Sequence, residues 1–361
     1  MGDLKPRLIK RITAEGPMSI ASFMAASLFD PVDGFYPTRD PLGADGDFIT
    51  APEISQMFGE MIGLWCVQSW RDMGSPPSFN LIELGPGRGV MMSDILRAAR
   101  IAPDFLMACS VTLIEASPAL EMVQAQTLAS APCMVNWVSD LTKATCGPSL
   151  IIGNEFLDCL PIRQFILQKD KWHERVVTID PDNDAALIFA IDPTEQKGVD
   201  LSAFAMAKPG DLAEICPGAE QIIDEVAARF SRDKGRALFI DYGPSESEIG
   251  DTLQALKAHK KVGPLNSPGN ADLTARVDFG ALKASAAAVK LPVFGPITQA
   301  QFLGAMGIEA RAQKLANSHP KSSDILARQF SRLTAENEMG ALFKAICLQS
   351  SGLSDPIGFT P

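Results

Sequence analysis

Between residues 80 and 155 the chain alternates short, almost wholly apolar runs with segments of helical character. This alternation limits the possible fold more than any other feature. NLIELG (80–85), SVTLIEA (110–116), MVNWVSD (134–140) and SLIIGNE (149–155) are four such runs, and RALFIDYG (236–243) is a fifth. Short strands apolar on both faces belong in a parallel sheet covered by helices on either side. The expected fold class is therefore α/β, with a Rossmann-like nucleotide-binding sheet.

The remaining sequence departs from that rhythm in recognisable places. Residues 1–75 read as a mainly helical region. Leu4, Leu8 and Ile12 share one face of a first helix, and Ser19 is placed to cap a second that runs to about Phe29. The stretch from Asp30 to Pro52 is dense in Pro, Gly and Asp, so a long ordered loop or a disordered linker is expected, within which Asp45–Glu53 is either a lid or a plain connector. Residues 76–361 hold the sheet, with insertions at about 160–235 and 244–275. QFILQ, KWHERVVTI and AALIFAI in the first insertion read as antiparallel strands, and the second reads as loop. Helices are expected near 278–290, 298–306 and 324–348.

Composition narrows the function. Asp and Glu number 43 against 32 Lys and Arg, a formal charge of −11. This disfavours a nucleic-acid partner and suits a cationic substrate such as an arginine- or lysine-bearing peptide. No apolar run approaches the length of a membrane span. The opening residues lack a signal core, and Pro6 stands where a myristoylation motif wants Ser or Thr. The seven cysteines form no CxxC pair and only three histidines are present. A metal site is not expected, and a reducing compartment is.

The motif with most chemical content is Glu83-Leu-Gly85-Pro-Gly87-Arg-Gly89, between a strand and a helix. Glycines allow close approach of backbone to ligand and positive φ angles, and the helix start offers unpaired N–H groups. A dinucleotide fingerprint would read GxGxxG. Here the spacing is GxGxG with an acid two positions ahead, which suits the cationic methionine end of S-adenosylmethionine better than a diphosphate. A tight turn with incidental glycines is the alternative. Glu115 ends the second strand, where a carboxylate can accept both ribose hydroxyls. Asp140 ends the third, where it either meets an adenine amino group or serves as a helix N-cap. Asn154, Glu155 and Asp158 follow the fourth. On a helical turn the two acids would share one side and could clasp a guanidinium by charge-assisted hydrogen bonds. The alternative is that Glu155 caps the next helix and Asp158 faces solvent.

The chain resembles the MidA-type methyltransferases, the family that includes a mitochondrial complex I assembly factor. The matching blocks are Gly46–Glu60 (GDFITAPEISQMFGE), Glu83–Gly89, Asn154–Phe165 (NEFLDCLPIRQF), Asp241-Tyr242-Gly243, Pro268–Phe279 (PGNADLTARVDF) and residues 295–308 (GPITQAQFLGAMGI). The resemblance implies a seven-strand class I methyltransferase sheet, S-adenosylmethionine as cofactor, and arginine N-methylation, by symmetric dimethylation, of a quinone-site subunit of complex I. It implies cofactor contacts at Gly85, Gly87 and Glu115, with Asp47, Thr50, Pro52 and Glu53 in a covering loop. The compartment would be the cytoplasm of a bacterium, or the mitochondrial matrix for eukaryotic relatives. Arg276 stands where the family usually has His, and Val90 where it usually has Thr. Two other functions use the same sheet: a nicotinamide-dependent oxidoreductase, and a non-catalytic assembly chaperone that binds a client. Intact Glu83, Gly85, Gly87 and Glu115 argue against the chaperone.

Overall fold

In a computed structural model of the chain, which describes residues 4–38 and 50–359, the five apolar runs are strands. They belong to a mixed sheet of seven strands: β1 Phe79–Leu84, β2 Cys109–Ile114, β3 Met134–Val138, β4 Ser149–Asn154, β5 Gly235–Tyr242, β6 Val293–Thr298 and β7 Phe343–Gln349. The order across the sheet is β6-β7-β5-β4-β1-β2-β3. Strands β1 to β5 are mutually parallel where they pair, whereas β7 runs antiparallel to both β5 and β6. Every residue of β1 and β4 is buried, as expected of central strands covered on both faces. β3 is the edge strand, and its residues are only partly buried or exposed.

The chain folds as two units. One comprises Ile49–Leu157, Ile222–Ser245 and Leu282–Pro361 and holds the seven-stranded sheet. The helix Gln56–Asp72 belongs to it, and buries Met57, Phe58, Met61, Ile62 and Trp65 at the spacing of an apolar helix face. The other comprises Met1–Phe48, Asp158–Gln221 and Glu246–Ala281. These units divide the chain differently from the expected boundary at residue 75, because residues 49–75 group with the sheet.

In the second unit the helix Leu4–Glu15 buries Leu4, Leu8 and Ile12. The hydroxyl of Ser19 caps the helix Ile20–Phe29 by accepting the amide hydrogen of Ser22 at 3.1 Å. Strands Arg163–Gln168, Lys171–Asp180, Asn183–Glu195 and Leu212–Ile215 build an antiparallel sheet with Met18–Ser19 at one end. Its apolar core gathers Phe23, Met24, Phe35 and Val177 around the first helix.

Two expectations fail. The helix expected over 324–348 ends at Thr334, and Phe343–Gln349 is β7. A seven-residue apolar run does not distinguish a buried strand from a helix by periodicity, and pairing with β5 decides it. The region 244–275 is not loop alone: Gln254–Lys257, Lys260–Val262 and Asp272–Thr274 form a small antiparallel sheet. Its tight turn at Ala258-His259 holds φ angles of 49° and 60° without a glycine or asparagine. The usual sequence signal for such a hairpin is therefore missing.

Candidate functional site

The parallel register brings the strand ends into line. Leu84 lies opposite both Ile114 and Gly153, Ile114 opposite Val138, and Asn154 opposite Ile240. The ladder then continues one residue past each strand. The Gly85 amide donates to Ile114 O at 3.2 Å, Glu115 to Val138 O at 3.0 Å, and Glu155 to Ile240 O at 2.9 Å. Glu83, Gly85, Glu115, Asn154, Glu155 and Asp241 thus share the carboxyl edge of one sheet, where ligands of open α/β sheets bind.

The glycine loop needs its glycines. Gly85, Gly87 and Gly89 have φ of 62°, 54° and 78°, in the left-handed region that other residues avoid. A Cβ on Gly85 would also stand 2.8 Å from the Phe156 ring, so the space it would fill already has an occupant in the protein. Glu83, just before the loop, is 1% exposed. Its Oε2 has no hydrogen-bond partner among the described residues, and burial pushes the carboxyl up to about 8. A buried, unmatched carboxyl oxygen beside a glycine loop fits a ligand that brings its own positive charge.

Glu115 is held at both oxygens. Oε1 accepts the Ser117 amide hydrogen at 2.7 Å, and Oε2 accepts from Gln124 Nε2 at 2.9 Å. Gln124 also donates to Gly87 O at 2.8 Å and accepts from Trp137 Nε1 at 2.9 Å. Gln124 belongs to no recognisable sequence motif. Its signal is positional: Leu120 and Gln124 are the two buried residues of the helix Pro118–Thr127, so a polar side chain occupies the apolar stripe. Asp140 is held by its own turn, hydrogen-bonded to Thr142 and paired with Lys143 at 3.0 Å. These contacts, the Thr142 bond first, hold its carboxyl down at about 2. It occupies the N-cap position of the turn Leu141–Lys143, although its side chain makes no capping bond.

After β4 the backbone turns sharply. Glu155 has φ 50°, a left-handed value unusual for a glutamate. Asp241 supports the turn. Its Oδ2 accepts the amide hydrogens of Phe156 at 3.1 Å and Leu157 at 2.9 Å, and its Oδ1 that of Tyr242 at 2.8 Å. Glu155 Oε1 accepts from the Ala51 amide at 2.9 Å and from Asn154 Nδ2 at 3.1 Å. Both of these bonds are accepted at Oε1. Burial pushes the Glu155 carboxyl up to about 7, an effect that Glu53 adds to and Arg332 opposes. Asn154 Oδ1 is buried without a partner among the described residues.

The helical turn expected to pair Glu155 with Asp158 is absent. The left-handed Glu155 interrupts a helical path, and Asp241 takes up the amides of the next two residues. Asp158 is the first residue of its segment of the other unit. It is buried there, with its carbonyl accepting from the Ala275 amide at 2.9 Å. Glu155 does not cap the following segment either, since its carboxylate receives the first amide of the helical turn Ala51–Ile54. Of the covering loop, Asp47 lies outside the described residues. Thr50 is the N-cap residue of Ala51–Ile54 without a side-chain cap, and Glu53 lies in its first turn. The described part of that loop is therefore helical, with Ala51 and Pro52 buried. Arg276, at the position where the resemblance puts His, pairs with Glu248 at 3.6 Å.

A family model for S-adenosyl-L-methionine-dependent methyltransferases, Methyltransf_28, matches residues 61–297. The chain belongs to this family. S-Adenosylmethionine is thus the cofactor of this methyltransferase, and the nicotinamide alternative is set aside. The chain is 36% identical to "Protein arginine methyltransferase NDUFAF7, mitochondrial" of Xenopus tropicalis, over 93% of this chain and 83% of that protein. It is 36% identical to the protein of the same name from Homo sapiens, over 94% and 82%. A Burkholderia thailandensis protein solved with S-adenosyl-homocysteine bound superposes with a TM-score of 0.86. It shares 26% identity, covering 98% of this chain and 93% of that one. The unmatched Glu83 oxygen and the glycine loop fit the cofactor on this chain's own geometry. When bound, the cofactor supplies a methyl group activated by an adjacent sulfonium.

Proposed function

We propose that this methyltransferase modifies an arginine side chain of a protein, by symmetric dimethylation. We propose as client a quinone-site subunit of complex I, whose assembly the modification supports. The carrying observation is Glu155: a carboxylate at the carboxyl edge of the sheet, anchored through Oε1 by the Ala51 amide and the Asn154 side chain. The relatives named as protein arginine methyltransferases support the same substrate class.

In this reading the protein holds both reactants by directed hydrogen bonds. Glu83 faces the cationic methionine end of the cofactor, the loop Gly85–Gly89 offers close backbone approach, and Glu115 accepts the ribose hydroxyls. Asp140 is assigned to the adenine side, and Asp47, Thr50 and Glu53 to the covering segment. Glu155 Oε2 and Asn154 Oδ1 accept N–H bonds from the guanidinium, leaving one nitrogen turned toward the methyl donor. Positioning of this kind supplies most of what a bimolecular transfer needs. The proton shed by the methylated nitrogen can pass to Glu155, whose carboxyl titrates near neutrality. Asp158 has no part in this scheme. The compartment follows the client: the cytoplasm for a bacterial enzyme, the mitochondrial matrix for the eukaryotic relatives.

The test is to incubate the protein with isotopically labelled S-adenosylmethionine and cell lysate, then locate the label by mass spectrometry. Label on arginine of a complex I subunit is the expected result. Label confined to lysine, nucleic acid or small molecules rejects the substrate assignment.

A further inference from the structure

Gln124 has no assigned role, yet its side chain is completely buried and makes three hydrogen bonds. The polarity of each bond is fixed by its partner. Gly87 O and the Glu115 carboxylate can only accept, and the Trp137 indole can only donate. The amide therefore has one orientation, with Nε2 toward the glycine loop and Glu115, and Oε1 toward Trp137. One side chain thereby ties the glycine loop after β1, the acid after β2 and an aromatic ring of β3 to a single helix.

The consequence lies at Glu115. A free glutamate side chain rotates about three bonds, and holding it in one rotamer has an entropic cost. Here the Ser117 amide takes Oε1 and Gln124 takes Oε2, so the carboxylate plane is set before any ligand arrives. Each oxygen keeps a second lone pair for an incoming hydroxyl. We propose that Gln124 is a positioning residue for the cofactor ribose, orienting the Glu115 carboxylate toward the sugar hydroxyls and fixing the height of the Gly87 carbonyl beside it. The inference rests on the reading of Glu115 as the ribose acceptor.

The experiment compares the dissociation constants of S-adenosylhomocysteine and its 2′-deoxy and 3′-deoxy analogues, by titration calorimetry at pH 7.5. In the unaltered protein, loss of a hydroxyl should weaken binding by about tenfold or more, the worth of a hydrogen bond to a charged group. Glu115→Ala should bring that ratio close to one. Gln124→Met, similar in length but without polar atoms, should weaken the hydroxyl-bearing ligand by about tenfold and reduce the ratio to roughly two.

If Gln124→Met does not fold, as judged by circular dichroism, Gln124→Glu serves instead. It keeps the acceptor for Trp137 but opposes Glu115 with a second carboxyl, so the ratio should be low at pH 8 and recover partly at pH 6. Trp137→Phe should leave the ratio intact, since it removes only the donor to Gln124. A purely structural Gln124 would weaken all three ligands equally and keep the ratio, which overturns the proposal while the Glu115 reading stands. An undiminished ratio in Glu115→Ala overturns both.

Discussion

The carboxylate of Glu155 accepts the amide hydrogen of Ala51 at 2.9 Å, joining the turn after β4 to the first turn of the helical segment Ala51–Ile54. The bond uses Oε1 only. Glu155→Gln can therefore keep both of its present hydrogen bonds through the amide oxygen while losing the negative charge. Under the proposed function, this variant should bind S-adenosylmethionine with affinity close to that of the parent. Its turnover on arginine should fall by about a hundredfold, since a charge-assisted contact to the guanidinium becomes a neutral one. Full turnover in the variant would remove Glu155 from the reaction.

The same residue predicts a pH profile. Burial raises the Glu155 carboxyl from its ordinary 4.5 to about 7. Guanidinium binding requires the charged form, so kcat/KM should fall about tenfold per unit as pH drops below 7. The Glu155→Gln profile should lack this limb. Stability runs the other way: a carboxyl raised on folding binds its proton more tightly in the folded protein. Its contribution is fully present below pH 4.5 and is lost as pH rises through 7. Chemical denaturation across this range checks the second statement independently of the first.

Glu83 makes a prediction about protons rather than rates. With its carboxyl pushed up to about 8, it is mostly protonated at pH 7 in the free protein. A cationic ligand end beside it favours the carboxylate, so cofactor binding at pH 7 should release close to one proton. Titration calorimetry in buffers of different ionisation enthalpy measures this directly. Glu83→Gln should bind more weakly and release none.

The glycine loop separates two kinds of constraint. Gly85→Ala puts a Cβ 2.8 Å from the Phe156 ring at φ 62°, so both backbone and neighbour must shift. A loss of about 2–4 kcal/mol in unfolding free energy is expected. Gly89→Ala, at φ 78°, meets Gln124 only at an ordinary contact of 3.5 Å. It should cost about 1–2 kcal/mol, from backbone conformation alone. Urea denaturation of the two variants tests the order.

Much of the sheet was legible because its strands are short, apolar and separated by helices, and β1 to β5 fall within a residue or two of expectation. The carboxyl edge was legible for the same reason, since strand ends locate Glu83, Glu115 and Glu155. What local sequence could not supply was pairing. β6 carries a register shift between Phe294 and Ile297, around Gly295-Pro296, and a proline there demotes a strand signal. The 155/158 spacing reads as helical, but the left-handed Glu155 and its support from Asp241, 86 positions away in the chain, break that turn. Gln124 gives no local signal because its importance lies in three partners from three other segments.

The position of β7 has a consequence for how the protein is made. It lies between β5 and β6, antiparallel to each, and follows both in the chain. On the ribosome, β1 to β5 can associate as soon as they emerge, but the outer edge of β5 then waits for a partner synthesised much later. During that interval an apolar strand presents open N–H and C=O groups to any passing chain. The hazardous period in the life of this protein is set by translation speed across residues 243–342, and slow codons there should raise its demand for chaperones.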